Sequence, residues 1–245
     1  MATLSASKRL DEVLGKDHKH NVSDWIGDAI YGVNDGLGAI FGIIAGVAGY
    51  TSNSHTILIS GLFGALASTL SMGAGAWLAT KSENELMDTT ISRARRSIET
   101  QRERELEILS LIYQVKGFNE KDAQYIAKTI AKDEKMFLQT VAQEKHGLHE
   151  SAKGNPWSSA TSGSISTLIG AIVPLIPFFF IGGRVALILA AIISILAHFV
   201  VGALKSLVTV RSWWSSGLEM TIAGIIVGVV SYALGLLGNV IFGIG

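Results

Sequence analysis

The stretch that decides the fold is 24-DWIGDAIYGVNDGLGAIFGIIAGVAGY-50. From Ala29 onward it is apolar enough to cross a bilayer, yet it carries Asp35 in its middle and Asp28 near its start. Seven residues separate these two acids, so an α-helix places them on one face, almost two turns apart. A carboxylate inside a span costs roughly 2.5–3.5 kcal/mol and needs a partner or a water-filled path. The pattern is typical of a cation route; the alternative is that Asp35 hydrogen-bonds a neighbouring helix.

Composition places the chain among polytopic membrane proteins. Its 245 residues have a mean hydropathy of +0.41, and the charged residues are confined to certain regions. The formal net charge is zero, which gives no reason to expect nucleic acid as a partner. The chain has no cysteine, which excludes disulfides, thiolate metal sites and cysteine nucleophiles. We predict an all-α fold that begins with a polar cytoplasmic tail rather than a cleavable signal peptide.

Five apolar segments predict five transmembrane helices, at about 24–50, 57–80, 159–182, 185–204 and 218–245. Pro174 and Pro177 predict a kink or break in the third span. If the tail is cytoplasmic, every Lys and Arg except Arg184 lies on the cytoplasmic side or at its boundary, as the positive-inside rule requires. The predicted division is a cytoplasmic tail at 1–23, spans 1 and 2 within 24–80, a cytoplasmic helical insert at 81–153, and spans 3 to 5 within 154–245.

The second span holds no acid, and its notable residue is Met72, in the run 71-SMGAG-75. A thioether is a soft ligand that suits a transition metal better than Na⁺ or Ca²⁺. Methionine is also ordinary apolar filling in a membrane helix, so Met72 alone leaves both interpretations open.

The insert is strongly charged and predicts three helices. They are expected from about Ser82 to Val115, from an Asn119 cap onward, and from Asp133 to about His146. Acids recur every four residues in the first helix, and like charges on one stripe repel one another unless cations lie between them. Interleaved arginines offer the alternative of a solvated, salt-bridged face. The candidate metal ligands of the insert are Glu99, Glu103, Glu107, Glu144 and Glu150.

Two polar residues in the later spans are candidates for a proton relay. His198, in the fourth span, can relay protons or neutralise a carboxylate, or it can simply hydrogen-bond a neighbouring backbone. Glu219 lies at the entrance of the fifth span.

Several motifs together resemble the vacuolar iron transporter family. They are Tyr31-Gly32-Val33-Asn34-Asp35-Gly36, Leu70-Ser71-Met72-Gly73, Lys81-Ser82-Glu83 and 174-PLIPFFF-180. The run 198-HFVVGALKSLVTVR-211 resembles the branch whose bacterial members can carry an N-terminal ferritin-like domain, and we expect no such domain here.

This resemblance implies a five-span homodimer that moves Fe²⁺ and similar divalent metals out of the cytoplasm in exchange for protons. The ion route would lie between the two copies of span 1, with Asp35 and Met72 as metal ligands in mid-membrane. Asp28 would be the carboxylate nearer the cytoplasm, and glutamates of the insert would bind the metal first. The branch points to a prokaryotic plasma membrane rather than a vacuole.

The residues themselves favour a transporter of a metal cation, and the resemblance implies that the metal is Fe²⁺ or Mn²⁺. The alternative is a membrane protein that senses or buffers metal through its insert while nothing crosses. A ferritin-like oxidase needs Glu-x-x-His motifs, and this chain contains none. We therefore predict no enzymatic activity and no cofactor, the metal being the transported ion.

Overall fold

The structure is a computed structural model, and it describes residues 20–148, 153–207 and 209–243, with side chains from Ala29 onward. Glu150, the side chain of Asp28 and most of the predicted tail lie outside the described residues. Within these residues the α-helices are α1 His20–Tyr50, α2 Ser54–Thr100, α3 Arg102–Val115, α4 Glu120–Ile130, α5 Glu134–His146, α6 Pro156–Ile172, α7 Ile176–Phe180, α8 Gly183–Lys205 and α9 Trp213–Phe242. The all-α prediction is confirmed.

Five helical segments are long and apolar enough to cross a membrane, which confirms the five predicted spans. They are Ala29–Tyr50, Ser54–Thr100, Pro156–Phe180, Gly183–Lys205 and Trp213–Phe242. The third is broken as predicted, because α6 gives way to a 3₁₀ turn at Val173–Leu175 before α7 begins. The fifth begins earlier than predicted: Ser212 caps α9, so Trp213 and Trp214 open the helix instead of lying in a loop.

The chain divides into two compact units. The first contains the described residues up to Gly75 and those from Ala160 onward, and its core includes Ile40, Ile44 and Leu175. In this unit α1 packs against both α8 and α9. The helices α1 and α6 approach each other closely, as a Cβ atom placed on Gly36 would lie 1.9 Å from the carbonyl oxygen of Thr167. Helix α1 is therefore held by α6, α8 and α9.

The second unit lies within Ala76–Ser159 and includes the described residues of the range 81–153. The prediction of one helix from about Ser82 to Val115 is wrong: α2 continues to Thr100, Gln101 leaves the helical conformation, and α3 starts afresh. The turn lets Leu109 of α3 pack with Ala94 of α2 in the insert core, which a single straight helix would prevent. Tertiary packing here overrides a run of helix-forming residues without glycine or proline.

The other caps of the insert are confirmed. Asn119 accepts a hydrogen bond from the backbone N–H of Asp122, and Asp133 accepts one from that of Met136. Gly147 ends α5 in the left-handed conformation with a φ of 66°, which glycine adopts without steric cost.

Candidate metal route

Asp35 lies in the middle of α1, half-buried and directed at α2. The hydroxyl of Ser68 donates to Oδ2 of Asp35 at 3.4 Å. Among the described residues, no basic side chain pairs with this carboxylate. The alternative that Asp35 bonds a neighbouring helix is therefore present as one contact, but the Ser68 hydroxyl is neutral and supplies no counter-ion.

Met72 lies on the same face of α2 as Ser68. The two are four residues apart, one helical turn, and both are half-buried. This stretch of α2 is held by α6, because the Ser164 hydroxyl donates to the carbonyl oxygen of Thr69 at 3.2 Å. The structure thus brings Asp35 onto the face of α2 that carries Met72 one turn further along.

Asp28 belongs to α1, seven residues before Asp35. Its position on the helix is therefore on the Asp35 face, two turns nearer the start of α1.

His198 belongs to α8 and is buried against α1 and α9. Its Nδ1 lies 2.8 Å from the carbonyl oxygen of Ser194 one turn earlier in α8, and its ring fills the space beside Gly224. Its Nε2 faces α1 near Gly38, where a Cβ atom would lie 3.8 Å away. Gly38 follows Asp35 by one turn, so the imidazole lies close to the level of that acid. The alternative that His198 hydrogen-bonds a neighbouring backbone is therefore present, through Nδ1. The other ring nitrogen, Nε2, still faces α1.

Glu219 is exposed at the start of α9, where it pairs with Arg211 at 2.7 Å. No described contact joins it to His198.

Of the described insert glutamates, Glu103 and Glu107 lie together, while Glu99 lies apart from them. The break at Gln101 separates Glu99 from Glu103 and Glu107, so the three do not share one stripe. Glu103 and Glu107 line a groove between α3 and α4 with Glu120 and Lys128, whereas Glu99 lines a different cavity. The described residues contain no group of three or more Asp, Glu or His side chains close enough to hold a metal ion.

Glu144 pairs with a basic side chain and does not lie in a cluster of described acids. It forms an ion pair with Lys116 across the insert. This ion pair gives the Glu144 carboxylate a partner within the protein.

The sequence model of the VIT family matches residues 26–236, which include α2, the insert and all but the end of α9. The chain belongs to the VIT family. It is 28% identical over 166 residues to a vacuolar iron transporter of Centaurea cyanus, covering 68% of each chain. It is 27% identical over 154 residues to vacuolar iron transporter 2 of Oryza sativa subsp. japonica, covering 63% of each. A vacuolar iron transporter of Arthroderma benhamiae is 26% identical over 201 residues, which cover 82% of this chain and 71% of that one.

The insert of this VIT-family chain has a buried charge that our sequence analysis missed. Glu105 is almost fully buried, and its carboxylate accepts hydrogen bonds from Lys145 at 2.8 and 3.0 Å and from Ser97 at 2.6 Å. Burial alone raises the pKa of Glu105, but the bonds from Lys145 and Ser97 outweigh it and hold that pKa below its ordinary value. A signal was present, because Glu105 precedes the buried Leu109 by four residues and so shares its face.

Proposed function

We propose that this chain carries divalent metal, Fe²⁺ and also Mn²⁺, across a membrane by a route that passes Asp35 and Met72. The observation that supports this most is the position of Asp35, an acid without a counter-ion among the described residues. It lies in an apolar span against the face of α2 that bears Met72. Membership of the VIT family and the names of the relatives support iron as the cargo.

The two side chains suit a transition metal. A carboxylate supplies a hard, charged oxygen, and a thioether supplies a soft, neutral sulfur. Together they favour Fe²⁺ over Na⁺ or Ca²⁺, which prefer all-oxygen sites. Asp28, two turns earlier on the same face of α1, is the acid that the ion meets first when it comes from the side of the N-terminus.

Proton exchange is the second part of the proposal. A carboxylate must be ionised to bind a metal, so protonation of Asp35 from the far side releases the ion. His198 is the candidate relay, because its Nε2 faces α1 one turn beyond Asp35. Glu219 is a second candidate, at the entrance of the fifth span.

The remaining parts concern orientation and assembly. We propose that the N-terminus and the insert are cytoplasmic, that metal leaves the cytoplasm, and that two copies pair along α1. The host membrane is a prokaryotic plasma membrane in this proposal, and a vacuolar membrane is the alternative that the relatives' names favour. Acids of the insert bind the ion first in this proposal, namely Glu99, Glu103, Glu107, Glu144 and Glu150.

The test is metal entry into liposomes that contain the full-length protein and a metal-quenched dye. Fe²⁺, Mn²⁺, Zn²⁺ and Ca²⁺ are added in turn under inward-acidic and outward-acidic gradients, with protein-free liposomes as the control. Fe²⁺ and Mn²⁺ that quench the dye faster under one direction of the proton gradient than under the other support a metal–proton exchanger. Saturable metal binding without quenching would make the chain a sensor or buffer instead.

A further inference from the structure

The contact between α1 and α2 points to one more residue that the metal route depends on. We infer that Ser68 is a positioning residue: its hydroxyl orients the Asp35 carboxylate so that the other carboxylate oxygen faces the ion. The inference rests on the proposed function, because it assigns Ser68 a role in the route through Asp35 and Met72.

The hydrogen bond engages one carboxylate oxygen only. Ser68 Oγ donates to Oδ2 of Asp35 at 3.4 Å, and no other described side chain bonds to this acid. An ionised carboxylate has two oxygens and about four acceptor positions. Oδ1 is therefore left to accept a cation while Ser68 restricts rotation of the group.

The position of Ser68 on α2 makes this orientation useful. Ser68 and Met72 are one turn apart on the same face, so a carboxylate held by the hydroxyl lies beside the path to the thioether. An unheld carboxylate would spend part of its time turned away from α2. Carboxylates that bind metals are commonly held by a hydrogen bond of this kind, and its loss weakens metal binding 10–100-fold.

The turn of α2 that carries Ser68 is itself fixed from its other side. Ser164 of α6 bonds to the carbonyl oxygen of Thr69, the next residue, and packs where Gly73 has no side chain. A Cβ atom on Gly73 would lie 2.2 Å from the Ser164 hydroxyl oxygen. Because α6 sets the rotation of α2 here, Ser68 is directed at α1 rather than at lipid.

The experiment measures initial rates of Fe²⁺ entry into proteoliposomes against Fe²⁺ concentration for five proteins. They are the wild type, Asp35→Ala, Ser68→Ala, Ser68→Thr and Ser71→Ala. Ser71→Ala makes the same chemical change three residues along the same helix, at an exposed position. We expect Ser68→Ala to raise KM about tenfold with kcat within about twofold of the wild type. Ser68→Thr, which keeps the hydroxyl, restores most of the affinity, and Ser71→Ala leaves KM unchanged.

A purely structural role for Ser68 gives a different pattern. It would reduce the amount of folded protein or lower kcat with KM unchanged, and threonine would rescue no better than alanine; either outcome overturns the inference. An unchanged KM in Ser68→Ala, while Asp35→Ala abolishes entry, also overturns it and leaves the proposed function standing. No entry by the wild type would instead contradict the proposed function itself.

Discussion

At the scale of single residues, the ion pair between Glu105 and Lys145 stabilises the insert and is buried on its acidic side. The side chain of Glu105 is 2% exposed and that of Lys145 is 30% exposed. Replacing Lys145 with Met leaves the buried carboxylate of Glu105 without its charged partner. Glu105→Gln instead leaves a lysine that can reach water. We expect Lys145→Met to cost about 3 kcal/mol and Glu105→Gln about 1 kcal/mol.

The measurement is hydrogen exchange of residues 102–146 in the full-length protein in detergent. Lys135→Met is the matched control, because Lys135 is exposed and has no described ion pair. Equal losses of protection in the Lys145 and Glu105 variants would contradict this asymmetry.

The same pair makes the insert sensitive to acid. The pKa of Glu105 is lower in the folded state than its ordinary value of 4.5, since the bonds from Lys145 and Ser97 outweigh the effect of burial. A depressed carboxyl pKa contributes stability that is complete above the unfolded-state pKa and is lost as pH falls through the folded one. We expect protection of 102–146 to hold from neutral pH to about 5 and to decrease below about 4.5.

Glu105→Gln isolates the part of this acid sensitivity that belongs to the pair. In that variant the decrease should be smaller, because Gln does not titrate. An identical pH profile in the variant and the wild type would show that other acids are responsible.

The sequence alone could locate Asp35, but not the side chains that bond to Asp35 and Glu105. Asp35 is conspicuous because it is ionisable within an apolar span, and so is predictable from its neighbours alone. Ser68 and Lys145 are ordinary in their own stretches of sequence. Their roles come from bonds to Asp35 and Glu105, which lie 33 and 40 residues away in the chain. Those contacts depend on how helices pack, which periodicity does not specify.

At the scale of helices, the approach of α1 to α6 requires glycine. A Cβ atom on Gly36 would meet backbone atoms of Thr167 at 1.9 and 2.8 Å, and backbone cannot rotate away as a side chain can. We expect Gly36→Ala to separate α1 from α6 and to cost about 3 kcal/mol or more. The separation would also shift Asp35, the residue before it.

Gly75→Ala is the matched control for this prediction, because nothing lies within 4 Å of a Cβ atom at that position of α2. The measurement is thermal unfolding of both variants in the same detergent, together with metal entry. Gly36→Ala should unfold at a lower temperature and transport poorly, while Gly75→Ala should match or exceed the wild type. Equal unfolding temperatures would mean that the two helices can move apart at no cost.

Helix ends were predictable where local chemistry decides them and not where packing does. Asn119 and Asp133 cap their helices through bonds to residues three positions on, so the signal lies within a few letters of sequence. Gln101 interrupts a run of residues that favour helix throughout. The interruption allows Ala94 and Leu109 to pack in the same core cluster. The charge boundary at Lys81 likewise predicted a junction, yet α2 runs through it without a break.

At the scale of the whole molecule, the spans and the family were predictable because each rests on extended patterns. Five apolar stretches with charges between them specify five membrane helices, and the family match extends across both units. The direction of transport, the proton coupling and the pairing of two copies remain proposals, since they depend on surfaces and gradients outside a single chain.

The central claim is that the transported ion passes Asp35 and Met72. The most direct measurement compares initial rates of Fe²⁺ entry into proteoliposomes for the wild type, Asp35→Ala and Met72→Leu, at equal amounts of reconstituted protein. The account predicts no entry above protein-free liposomes for Asp35→Ala. It predicts a reduced rate for Met72→Leu, with a smaller preference for Fe²⁺ over Ca²⁺ because the soft ligand is gone. Wild-type rates in Asp35→Ala would place the route elsewhere in the protein.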